Sequence, residues 1–147
     1  MLKRLNSKVL LYIIWLQALA ATVGSLYFSE FAGFPPCKLC WYQRIFMYPL
    51  ALMAPIGIIR KDTKFLPIYT LALAMPGALI AGYHNLLYYG ILPESTAPCE
   101  LGVSCTTKYI AYFGFVTIPL LSLVGFLVVI GCAVGYMKII RNSRHAG

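Results

Sequence analysis

Cys37 and Cys40, with two residues between them, stand at the mouth of a long apolar segment, and Arg44 follows one helical turn after the second cysteine. A C-x-x-C pair can be redox-active, metal-binding, haem-attaching or structural. Haem attachment needs histidine directly after the second cysteine, and Trp41 stands there. A four-thiolate zinc site wants a second closely spaced pair, whereas Cys99 and Cys105 are six apart. Redox chemistry has positive physical support. A thiol at a helix N-terminus beside a cation loses its proton readily and becomes the nucleophile. Lys38 lies between the two cysteines, and Arg44 shares a helix face with Cys40. A charge just inside an apolar segment either snorkels to headgroups or faces a site. In a site, a guanidinium that stays protonated stabilises a thiolate or the oxygen of a quinone being reduced.

Cys99 and Cys105 are the second candidate pair. A bridge between them closes a very small loop, which Gly102 eases, and contributes little as a staple. Exposed or strained disulfides are the exchangeable ones, so exchange competes with a structural clasp as the reading. His84 and Asn85 lie near the end of a later apolar run. They either hydrogen-bond a neighbouring helix or line the same pocket as Arg44, with His84 bonding a quinone carbonyl or passing protons. Gln17 carries the same two alternatives. Cys132, deep in the last apolar run, reads as a small buried hydrophobe with no role assigned.

The elements that must position these residues follow from composition. The chain has 147 residues, 61% hydrophobic and 11% charged. A soluble domain carries roughly 25% charged residues, so a membrane protein is indicated. A bilayer core of about 30 Å takes about 20 helical residues. Apolar runs predict four spans, at about 9–28, 40–59, 65–89 and 109–137, with outer loops 29–39 and 90–108. The first run extends past the length of a signal-peptide core, so it reads as a retained span. Pro49, Pro55, Pro76 and Pro119 fall inside spans, where neighbouring helices accommodate proline. Short connections make consecutive helices antiparallel. The expected fold is therefore all-α: a single membrane domain over 1–147, built as a four-helix antiparallel bundle.

The net charge is +8, and its placement decides what it means. Lys3, Arg4 and Lys8, then Arg60, Lys61 and Lys64, then Lys138, Arg141 and Arg144 fall at the ends expected to be cytoplasmic. This puts both termini in the cytoplasm and Cys37, Cys40, Cys99 and Cys105 on the extracytoplasmic face, where disulfides persist. No soluble basic surface exists for nucleic acid. Tyr27, Trp41, Tyr42, Tyr83, Tyr88, Tyr89, Tyr109 and Tyr112 gather at the outer ends as an interfacial belt, and some of them can also line a pocket for a flat ring.

Four spans, Pro-Cys-x-x-Cys-x-Tyr-Gln-Arg at residues 36–44 and a second cysteine pair before the fourth span resemble the DsbB family of disulfide bond formation proteins. The six-residue step from Cys99 to Cys105 is most like the compact BdbC-type members of Bacillus. The resemblance implies a quinone-dependent thiol oxidase of the bacterial cell membrane that reoxidises a DsbA-like (BdbD-like) thiol-disulfide oxidoreductase. It implies that Cys37 and Cys40 are the quinone-proximal pair and Arg44 the quinone-adjacent arginine. It implies that Cys99 and Cys105 exchange with the partner, and that residues 84–87, His84 and Leu87 included, contact the quinone, menaquinone or ubiquinone. Long-loop family members have a longer segment between the second-pair cysteines, so no loop helix is carried over. A vitamin K epoxide reductase-like enzyme is the nearest rival, but it carries its C-x-x-C late rather than on the second helix. A membrane metal-binding or transport protein using the cysteines as ligands is the rival from another class.

Overall fold

The computed structural model describes residues 2–62, 64–93 and 117–145. Cys99, Cys105, Tyr109, Tyr112 and the expected start of the fourth span lie outside the described residues. Within them the regular structure is helical: α1 Leu2–Leu26, continued by one wider π-helical turn over Tyr27–Phe31, then α2 Lys38–Ile59, α3 Leu66–Tyr88 and α4 Ile118–His145. All four helices are long and apolar enough to cross a membrane.

Two boundaries differ from expectation. Pro119 is not an interior proline of the last span but lies in the first turn of α4, where its missing N–H has no helical partner to lose. Thr117 Oγ1 accepts the backbone N–H of Leu120 at 3.3 Å and caps that turn. At the other end α4 runs through the basic tail to His145, because no proline or glycine interrupts it after Gly135.

The contacts between helices establish an antiparallel bundle. The start of α2 meets the end of α1 where Arg44 bonds Ser25. The end of α3 meets the start of α4 where the buried Asn85 donates Nδ2–H to the Pro119 carbonyl at 2.9 Å and to its own Ala81 carbonyl at 2.7 Å. Gly135 of α4 packs over Leu10 of α1, and Gly125 over Gln17. Each helix therefore packs on its two neighbours in a closed ring.

Membrane helices associate through close packing rather than hydrophobic expulsion, so small residues belong at their interfaces. Ala18, Ala51, Ala54, Ala74, Ala81 and Ala133, drawn from all four helices, are buried. Gly77 lies so close to the fully buried Phe126 ring that a Cβ there would run into it, and Gly57 abuts Leu66 in the same way. Outward positions are large and apolar, with Leu79 72% and Leu52 69% exposed. That is the inverse of a soluble surface and suits a lipid one.

The turn between α2 and α3 is closed at both ends. Lys61 adopts a left-handed φ of 54°. The N–H of Lys61 bonds the Ile58 carbonyl and that of Asp62 the Gly57 carbonyl, the pattern of a Schellman stop. Asp62 Oδ1 then accepts the N–H groups of Lys64 and Phe65 at 3.2 and 2.9 Å and opens α3. The same stop recurs at the end of α3, with Gly90 at φ 72° in the left-handed position.

Candidate functional site: a thiol pair on the wall of a bundle cavity

Pro35 and Pro36 lie just ahead of α2 rather than in its first turn, and they hold the chain extended into Cys37. Cys37 is the N-cap, with φ −69° and ψ 167°, and its carbonyl accepts the first helical hydrogen bond from Trp41 at 3.1 Å. Cys40 is in the first turn, so its sulfur comes to 3.2 Å from that of Cys37. Both are free thiols. Cys37 is buried against Leu39 of α2 and Leu87 of α3.

His84 of α3, 47 positions away in sequence, places Nε2 3.8 Å from Cys37 Sγ. Its Nδ1 lies 3.1 Å from Gln43 Nε2. An amide nitrogen only donates, so Nδ1 is the acceptor in this arrangement and Nε2–H faces the thiol. The hydrogen bond from Cys40 holds the Cys37 thiol well below its usual range, down to about 4. Burial opposes that shift, and the His84 hydrogen bond reinforces it.

Arg44 is anchored on α1. Its Nε donates to Ser25 Oγ at 2.9 Å and one terminal nitrogen donates to the Ser25 carbonyl at 3.0 Å. Its guanidinium lies over the Trp41 ring, 5.4 Å from the centroid. Two of the five N–H donors are thereby used, and they fix the plane of the group.

These residues share one cavity of about 390 Å³ between α1, α2, α4 and the end of α3. Cys37, Cys40, Arg44 and His84 stand on its wall. Phe28 and Phe34, stacked with centroids 6.3 Å apart, and Tyr88 also line it. Thus Tyr88 of the aromatic belt faces inward, while Tyr27, Trp41, Tyr42 and Tyr89 are exposed. The polar pair on α3 divides: His84 faces the cavity and Asn85 ties α3 to α4. Leu87 is not on the cavity wall; it backs the Cys37 thiol. Gln17 lines the cavity, its amide against Gly125. Cys132 packs on the core away from the site.

Three cavity residues escaped the sequence reading as individuals. Gln43 lies one turn from Cys40 in the quoted motif, a signal that was available. Ser25 follows Gly24 in an apolar run and carries no signal of its own. Tyr48 lines the cavity with a hydroxyl that is buried and has no hydrogen-bond partner among the described residues. A buried tyrosine hydroxyl ordinarily finds one.

A four-helix membrane bundle with a paired thiol and a fixed cation on a cavity wall defines a membrane thiol oxidoreductase. The profile of the family described as "Disulfide bond formation protein DsbB" matches residues 7–137, and the chain belongs to that family. It is 46% identical to disulfide bond formation protein C of Bacillus subtilis (strain 168) over 125 residues, 85% of this chain and 90% of that protein. It is 46% identical over 124 residues to probable disulfide formation protein C 1 of Bacillus anthracis, covering 84% and 88% of the two chains. It is 42% identical over 132 residues to the probable disulfide formation protein of Oceanobacillus iheyensis, covering 87% and 90%. No solved structure matches the chain. The family makes this protein a disulfide-generating membrane oxidoreductase, and the vitamin K epoxide reductase-like alternative falls away.

Proposed function

We propose that this protein oxidises a DsbA-like thiol-disulfide oxidoreductase outside the cytoplasm and delivers the electrons to a membrane quinone. The observation that carries this reading is the shared wall: the Cys37–Cys40 pair, Arg44 and His84 border one cavity large enough for a flat ring. Its residues suit a quinone. The aromatic faces of Phe28, Phe34 and Tyr88 offer stacking surface, and the Tyr48 hydroxyl is a donor in want of an acceptor. Arg44, held by Ser25, presents its remaining donors without having to be ordered first.

In the proposed cycle the partner's thiolate attacks Cys99 of a Cys99–Cys105 bridge. The mixed disulfide resolves, the partner leaves oxidised, and the second pair is left reduced. One of its thiolates then attacks the Cys37–Cys40 bridge, which takes up the electron pair while Cys99–Cys105 is re-formed. Bound quinone supplies the final two-electron sink. Cys40 then hands on the electron pair, Arg44 stabilises negative charge as it develops, and His84 holds or delivers a proton at Nε2. Leu87 keeps water from behind Cys37. Following the positive charge, the thiol end of the bundle faces outward and both termini lie in the cytoplasm.

The test combines the purified protein, a reduced DsbA-like protein and a soluble quinone analogue, with quinone absorbance as readout. Quinone should be consumed one-for-one with partner dithiol, and Cys40→Ser should reduce the rate at least 1000-fold. Undiminished turnover in that variant sinks the reading.

A further inference from the structure

We propose that the reduced site is also a cation site. Cys37 Sγ, Cys40 Sγ and His84 Nε2 together take up Zn²⁺, and the bound ion holds the enzyme out of its cycle.

The three donor atoms come from two helices and lie within 4.8 Å of one another. Around tetrahedral zinc, sulfur sits at about 2.3 Å and nitrogen at about 2.0–2.1 Å, which separates neighbouring donors by roughly 3.5–3.8 Å. The Cys37–His84 distance of 3.8 Å already fits. The two sulfurs, at 3.2 Å, need to part by roughly half an ångström to reach that edge. Rotation of the Cys40 side chain in the first turn of α2 is the movement required, and it must also keep that sulfur within reach of His84, the set of three lying within 4.8 Å.

Two thiolates and an imidazole prefer zinc to magnesium or calcium, which favour oxygen. All three residues border the cavity, so a fourth position opens to water, the arrangement of three protein ligands and one exchangeable one.

Gln43 supplies the second observation. A histidine that ligates through Nε2 carries its proton on Nδ1 and donates it to an acceptor. Gln43 Nε2 now sits 3.1 Å from that nitrogen. Turning the amide over puts its carbonyl oxygen there instead, ready to accept Nδ1–H. The same residue thus serves both the metal-free and the metal-bound ring. Zinc uptake releases to solvent whatever proton the thiols still carry, shifts the ring proton from Nε2 to Nδ1, and moves no electrons. With both sulfurs on the ion, no disulfide can form between them until it leaves.

Cobalt(II) tests this without reference to quinone, because thiolate-to-cobalt charge transfer absorbs in the near ultraviolet. The protein is a Cys99→Ser, Cys105→Ser double variant, reduced with a phosphine. One equivalent of Co²⁺ should bind with thiolate bands and be displaced by Zn²⁺, and the oxidised protein should bind none. His84→Ala should weaken binding at least tenfold. Gln43→Leu, which keeps every ligand, should weaken it 10- to 100-fold and remains informative if the histidine variant fails to fold. Absence of thiolate bands in the reduced double variant, or an affinity indifferent to both substitutions, overturns the proposal. Loss of quinone turnover in the wild-type assay would leave these bands in place, so the two readings fail separately.

Discussion

The two halves of the bundle use small residues for opposite ends. In the half away from the thiols, three glycine notches are filled by a neighbour, while Gly131 on the outer face of α4 meets nothing. Gly77 receives Phe126, Gly57 receives Leu66, and Gly135 receives Leu10. In the thiol half, Ala20, Ala21, Gly24 and Ser25 of α1 and Ser122 of α4 line a cavity that stays open, although Gly125 itself is covered by the Gln17 amide. The same four helices build both halves; what differs is whether a large side chain is set opposite the small one. Filling yields stability, since close contact is the main attraction between membrane helices. Leaving the notch open yields a site.

That contrast can be broken by substitution. Phe126→Ala empties the best-filled notch and should cost about 3–5 kcal/mol, read as a large fall in thermal midpoint in detergent. A change under about 1 kcal/mol would mean the packed half is not where stability resides. Gly77→Ala overfills the same notch and should cost about 1–3 kcal/mol, with Phe126→Leu restoring part of it in the double variant. Gly24→Leu probes the open half. A Cβ at Gly24 meets nothing within 4 Å, so stability should hold or rise by about 0.5–1 kcal/mol from helix propensity. The KM for a quinone analogue should meanwhile increase about tenfold, equivalent to about 1.4 kcal/mol of lost binding. Unchanged kinetics in that variant would remove the cavity from the reaction.

Much of this was legible in the chain. Helical periodicity places Cys37, Cys40 and Arg44 together because all three fall within about two turns from the N-cap of α2. Basic clusters and apolar run lengths mark four helices. Local pattern does not reveal that His84 Nε2 faces Cys37 while its neighbour Asn85 faces α4. That division depends on the rotation of α3 about its axis, which packing decides. Leu87 shows the same limit: adjacent to the site in sequence, it supports the thiol from behind. Proline inside an apolar run fits an interior position as well as a first turn, so Pro119 does not by itself mark where α4 begins, whereas the Thr117 cap does.

Lys61 shows two demands meeting at one residue. The Schellman stop wants a left-handed residue, which Gly90 provides at the end of α3 without a side chain to crowd it. At the end of α2 the same position is held by lysine at φ 54°, a conformation that disfavours ordinary residues by about 1–2 kcal/mol. Lys61→Gly should relieve part of that, raising stability by up to about 1 kcal/mol, visible as a small increase in thermal midpoint. The same change deletes one of the positive charges on which the proposed orientation of the chain rests. A more stable variant would therefore be one more easily threaded upside down, and a reporter fused to either terminus would register the inverted fraction.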